Sequence, residues 1–208
     1  FKIKKVKGLK GWDDSSVKNM VEFILKNLIL HSRIENDEIE IYRYGLRRLI
    51  NSIMNVLLIL AIGLIYENLF GTIVYTFSYI LLRRYSGGYH SKTLVNCYIL
   101  STITIVFALN AISYINEVKI NTFIITFVSS VVILVLSPVE CRNKKLDVCE
   151  KGVYKKRAIV TTLFMYIAYQ LLYFINYYIS IHFSVSLVIV AFLMVLGKLD
   201  NHINVSGY

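Results

Sequence analysis

The sequence predicts an all-α, polytopic membrane protein of about six transmembrane or re-entrant helices behind an N-terminal amphipathic helix. Three observations carry that expectation. Hydrophobic residues make up 56% of the 208, the mean hydropathy is +0.59 and proline occurs once, a balance that a soluble domain of this size could not hide from water. Apolar runs recur at 49–66, 69–82, 94–115, 122–139, 158–178 and 181–197. The cations between those runs alternate sharply in density.

The first 48 residues form a cytoplasmic or interfacial segment ahead of a membrane-embedded domain over 49–208. No secretory signal pattern opens the chain, because the first long apolar run follows Arg48, so the reading expects a retained N-terminus. Within this segment Val17, Met20, Val21, Ile24, Leu25 and Leu28 recur at three-and-four spacing, the pattern of an amphipathic helix on a bilayer surface or packed on span ends. Glu35, Asp37, Glu38 and Glu40 then precede Tyr42, Arg43, Tyr44, Arg47 and Arg48. These are either a solvated acidic face or a contact surface for a basic peptide. The Lys-rich start, residues 1–10, matches nothing known.

A span needs roughly 17 to 25 residues to cross an apolar core of about 30 Å. The run 69–82 falls short and is either tilted in a thinned bilayer or re-entrant. Lys and Arg number eleven before Leu49, three in 83–93, seven in 140–157 and one after Gly197, so 22 of 23 share one face if the chain crosses six times. Short cation-rich loops stay in the cytoplasm, which predicts an N-in, C-in topology. A re-entrant pair in place of two spans satisfies the same parity. The net charge of +10 flanks apolar runs and does not form a patch on a soluble fold, so a bilayer partner is expected and a nucleic acid is not.

Residues 83–97, RRYSGGYHSKTLVNC, form the only loop that joins a base to a nucleophile. A thiol attacks an amide as thiolate, and a nearby imidazole removes its proton and later protonates the leaving amine. Cys97 and His90 have those roles in this reading. On one continuous helix they would be about 10.5 Å apart along the axis, so the backbone must break between them. Gly87 and Gly88 supply the freedom and could contribute oxyanion amides. Arg83, Arg84 and Lys92, with Lys144 and Lys145 of the next basic loop, could hold substrate carboxylates. Asn96, Ser86 and Glu140 are candidates for a third member, but a dyad is preferred.

Alone, a His and a Cys seven residues apart identify no enzyme. The pattern Arg83-x4-Gly88-x-His90-x6-Cys97 ahead of an apolar run, however, resembles the active-site signature of AgrB-type quorum-sensing peptidases. Residues 38–46, EIEIYRYGL, resemble that family's approach to its first span, and 137–146, SPVECRNKKL, its step into a basic loop. The likeness runs from about residue 17 to the end. It implies a membrane cysteine endopeptidase, without a cofactor, of the cell membrane of a Gram-positive bacterium, with Cys97 and His90 at the cytoplasmic face. Its partner would be an AgrD-type precursor peptide, whose C-terminal tail is cut off while the rest is held as a thioester. An internal thiol or hydroxyl then closes a thiolactone or lactone, the autoinducing peptide. The likeness also implies a homodimer, with Arg83 and Gly88 as supports.

Cys141 and Cys149, eight apart with no nearby His, fit no common zinc pattern, and a cytoplasmic loop keeps them reduced. His31, His182 and His202 are read as structural or solvent-facing, and the sixteen tyrosines as interfacial belts and span packing. The competing class is a non-catalytic membrane peptide-binding or transport-accessory protein. Against an ion or proton pathway stands the lack of Asp, Glu, Lys and Arg inside the six runs.

Overall fold

A computed structural model describes residues 15–31, 38–88, 94–139 and 147–205. Their elements are all helical: α1 (Ser15–His31), α2 (Ile39–Ile65), α3 (Leu69–Ser86), α4 (Leu94–Val118), α5 (Phe123–Leu136), α6 (Val148–Ile175) and α7 (Tyr177–Val205). Four contain stretches long and apolar enough to cross a bilayer, namely Ile39–Ile65, Asn96–Val118, Cys149–Ile175 and Tyr177–Asn201. The chain is therefore a helical membrane protein.

Helix bounds differ from the apolar runs for local reasons. α2 starts ten residues ahead of the run at 49–66, because Glu40, Arg43, Arg47 and Arg48 are good helix formers and no proline interrupts them. The run at 122–139 shortens to the fourteen-residue α5, which stops where Ser137, ahead of Pro138, takes up extended backbone. At about 1.5 Å per residue α5 rises only ~21 Å and the eighteen-residue α3 ~27 Å.

The chain divides into two units, one within residues 1–58 and 91–99, the other within 59–90 and 100–208. In the first, α1 lays Val21 and Leu25 against Ile50 of α2, with Ile24 and Leu46 at the margin. Half of the predicted apolar stripe is thus used on α2, while Met20 and Leu28 stay exposed. Arg43 adds a forked contact to Glu22 at 2.8 and 3.4 Å.

In the second unit α3, α5 and α6 pack around α7. Two thirds of the apolar window of α7 is buried, against about a fifth for α6. One core joins Tyr75, Leu109, Ile112, Ile181 and Val185, and a second joins Leu82, Ile133, Met165, Leu187 and Met194. Small residues allow the close approach, since a side chain at Gly63 would strike Thr72, and one at Gly71 would strike Asn68 and His182. Buried hydroxyls pair across helices, Thr126 with Ser184 at 2.6 Å and Thr122 with Tyr169 at 2.9 Å.

These contacts fix helix direction. The Tyr178 hydroxyl donates to Asn68 Oδ1 at 2.8 Å, so α3 and α7 start at the same end. α5 runs with them and α6 against them, as the Thr126–Ser184 and Thr122–Tyr169 pairs require. Tyr177 reaches the Ile115 carbonyl, so α4 ends where α7 begins. One end of this unit therefore collects Arg83, Arg84, Lys151, Lys155, Lys156, Arg157 and Lys198. The opposite end carries Glu67, Glu117 and Lys119, with Glu67 and Lys119 at positive φ in tight turns.

Candidate active site

The helix that precedes the predicted catalytic loop ends in a tightly built junction. Arg83, in the last turn of α3, donates from Nη1 to the Gly87 carbonyl at 2.9 Å, and the Gly87 amide donates back to the Arg83 carbonyl at 3.2 Å. Both glycines lie in the left-handed half of backbone space, Gly87 at φ 76° and Gly88 at φ 122°. A Cβ on Gly88 would stand 2.1 Å from Arg83 Nη1, and one on Gly87 2.1 Å from the carbonyl oxygen of Val139. Glycine is thus required twice, by conformation and by space.

Val139 comes from the segment after α5. Its amide donates to the Ser86 carbonyl at 2.9 Å, and it forms a parallel bridge with Gly87. The fold therefore joins two pieces that the sequence holds fifty residues apart, RRYSGG and SPV. The sequence reading did not foresee this contact. The available signals were the Arg-x3-Gly spacing, which lets a C-terminal arginine reach back over its own helix end, and the recurrence of both pieces in one family likeness. Ser86 and Ser137, both buried here, have hydroxyls without a hydrogen-bond partner among the described residues.

Cys97 belongs to the other unit. It stands in the first turn of α4, which begins at Leu94, and carries an exposed, free thiol. In the same unit the Tyr98 hydroxyl contacts Asn51 of α2 at 3.3 Å, which ties the start of α4 to α2. His90, Lys92, Glu140, Lys144 and Lys145 lie outside the described residues. Of the remaining candidates, Arg83, Gly87 and Gly88 meet at the α3 terminus, and Arg84 projects beside Tyr85. Cys149, near the start of α6, is also free and exposed, while Cys141 lies outside the described residues.

His182 is a buried structural residue on α7. Its Nδ1 lies 2.9 Å from the Tyr178 carbonyl oxygen, and its ring meets that of Tyr178 edge-on. Tyr166, Tyr169, Tyr173 and Tyr177 form a ladder of tilted and edge-on rings, consistent with packing along spans.

Residues 17–195 match the family model described as Accessory gene regulator B. Two curated relatives from Clostridium perfringens are similar, an AgrB-like protein of strain SM101 (Type A) and AgrB-like protein 2 of strain 13 (Type A). Each is 25% identical over 169 residues, which cover 78% of this chain and 79% of the relative. No solved structure matches the chain.

Proposed function

Because the chain belongs to the accessory gene regulator B family, we propose that it is a membrane cysteine endopeptidase that trims an AgrD-type precursor and passes the acyl group on to ring closure. The observation that carries this reading is an exposed thiol, Cys97, in the first turn of an apolar helix, just after the segment that holds His90. The whole motif lies inside the matched region.

In this mechanism the His90 imidazole takes the Cys97 proton and Sγ attacks the scissile carbonyl carbon. The tetrahedral oxyanion collapses, the C–N bond breaks and the imidazolium protonates the departing amine. The precursor's N-terminal part is left as a thioester on Cys97. An internal thiol or hydroxyl of the peptide then gives its proton to His90 and attacks the thioester carbon, and the C–S bond to Cys97 breaks. The product is a thiolactone or lactone, with the enzyme thiolate restored. The thioester keeps the acyl group activated, provided that water is held off.

The geometry refines the supporting roles. The Gly87 amide is engaged by the Arg83 carbonyl, which takes it away from the oxyanion role that the sequence offered it. Arg83, Gly87 and Gly88 act as the anchor from which residues 89–93 depart. Lys92, Lys144 and Lys145 receive the charged tail of the precursor. The cation-rich end of the second unit is assigned to the cytoplasm by the positive-inside rule, with six crossings and both termini inside, and the enzyme works as a homodimer.

The test is coexpression with an AgrD-type precursor. Cys97→Ala, Cys97→Ser and His90→Ala are expected to remain in the membrane fraction with the precursor uncut. Full processing by Cys97→Ala overturns the reading.

A further inference from the structure

Two lipid-facing stripes of the second unit end in arginine at the same place. On α3 the exposed apolar residues Ile73, Phe77 and Ile80 follow three-and-four spacing, and Arg84 is the next position on that face. On α6 the exposed residues Ile167, Phe164 and Val160 lead in the same register to Arg157. The two helices run in opposite directions, so both stripes reach the cation-rich end together. There the Arg84 and Arg157 guanidinium carbons each lie 5.7 Å from the centre of the Tyr85 ring, which places them no more than about 11 Å apart. Tyr154, one turn before Arg157, packs tilted against Tyr85 at 6.4 Å.

Among the described residues neither arginine has a carboxylate partner, and two like charges gathered on one ring call for an anion. The acidic residues described nearest in sequence, Asp147 and Glu150, are linked to each other through the Asp147 amide at 3.3 Å. Lys155 and Lys156 add positive charge. We propose that Arg84, Tyr85 and Arg157 bind the headgroup of an anionic phospholipid whose acyl chains lie along the stripes of α3 and α6. A phosphate held between two guanidinium groups gains charge-assisted hydrogen bonds, and the apolar stripes that continue from it suit a ligand with hydrocarbon tails. A soluble acidic peptide would leave those stripes unused. The site concerns the bilayer and is independent of the peptidase reading.

The experiment uses the full chain in neutral maltoside micelles, with native mass spectrometry and thermal unfolding in the presence of phosphatidylglycerol, phosphatidylcholine or inorganic phosphate. Phosphatidylglycerol should be retained and stabilising, and phosphatidylcholine and phosphate should not. Arg84→Gln with Arg157→Gln should weaken retention on the order of tenfold, and the double Lys variant should recover part of it. Equal retention of both lipids, or unchanged retention by the double Gln variant, overturns the proposal. So does Arg-dependent binding of an acidic peptide without preference for phosphatidylglycerol. A diazirine-bearing phosphatidylglycerol on the unmodified protein gives a reading free of folding effects. Crosslinks should map to α3 and α6 around Arg84 and Arg157, and crosslinks confined elsewhere overturn the assignment.

Discussion

The Arg83 guanidinium occupies the space that a side chain on Gly88 would need, with Nη1 2.1 Å from the ideal Cβ position. The same group donates to the Gly87 carbonyl. A side chain on Gly88 would therefore displace the Arg83 guanidinium from its place over the helix end.

Gly87→Ala should be the more damaging of the two glycine substitutions. Its Cβ meets a backbone carbonyl, that of Val139, which cannot swing away, whereas the Gly88 Cβ meets the end of a flexible arginine. We expect a loss of about 2 to 4 kcal/mol for Gly87→Ala and about 1 to 2 kcal/mol for Gly88→Ala, read as unfolding in micelles. Equal stability of Gly87→Ala and the parent protein would refute the close approach.

Cys97 and Cys149 are both free and exposed, which makes Cys149 an internal reference. At neutral pH a thiol-directed probe should label Cys97 faster, and His90→Ala should bring the two rates together. Indistinguishable rates in the parent protein count against activation of Cys97 by His90.

Thr126→Val keeps the shape of the side chain and removes its bond to Ser184 across α5 and α7. Buried hydroxyl pairs in membrane bundles contribute about 0.6 to 1.7 kcal/mol. A double-mutant cycle with Ser184→Ala should return a coupling in that range. A coupling near zero means that the pair adds no stability.

Glu22→Gln is expected to be nearly silent. The contact with Arg43 is solvent-exposed, with side chains 37% and 45% accessible, and such pairs contribute about 0 to 1 kcal/mol. A midpoint in denaturant shifted by more than that would assign the pair a larger part in holding α1 on α2.

The helical membrane class was legible because apolar runs survive any reading of the sequence. Helix ends were less so. Hydropathy marks where a helix is greasy, and says nothing of whether it continues through Arg43, Arg47 and Arg48, as α2 does. At the site, the signature picked out Arg83, Gly88 and Cys97 by likeness, and the physical reason for the first two appears only with Val139 in place beside Gly87. That contact pairs residues fifty apart, and no periodicity within either segment encodes it. The stripes ending in Arg84 and Arg157 were present in the sequence at three-and-four spacing. Their convergence depends on α3 and α6 running in opposite directions against α7.

The burial of α7 bears on the order in which the protein is made. α3, α5 and α6 are synthesised before the helix around which they pack, so at that stage Thr126 has no Ser184 and Asn68 no Tyr178. Until α7 is present, the Thr126 hydroxyl has its own helix alone, through the Thr122 carbonyl, and Asn68 Oδ1 has the Gly71 amide. The packing of the second unit around α7 is thus complete only once α7 has been made.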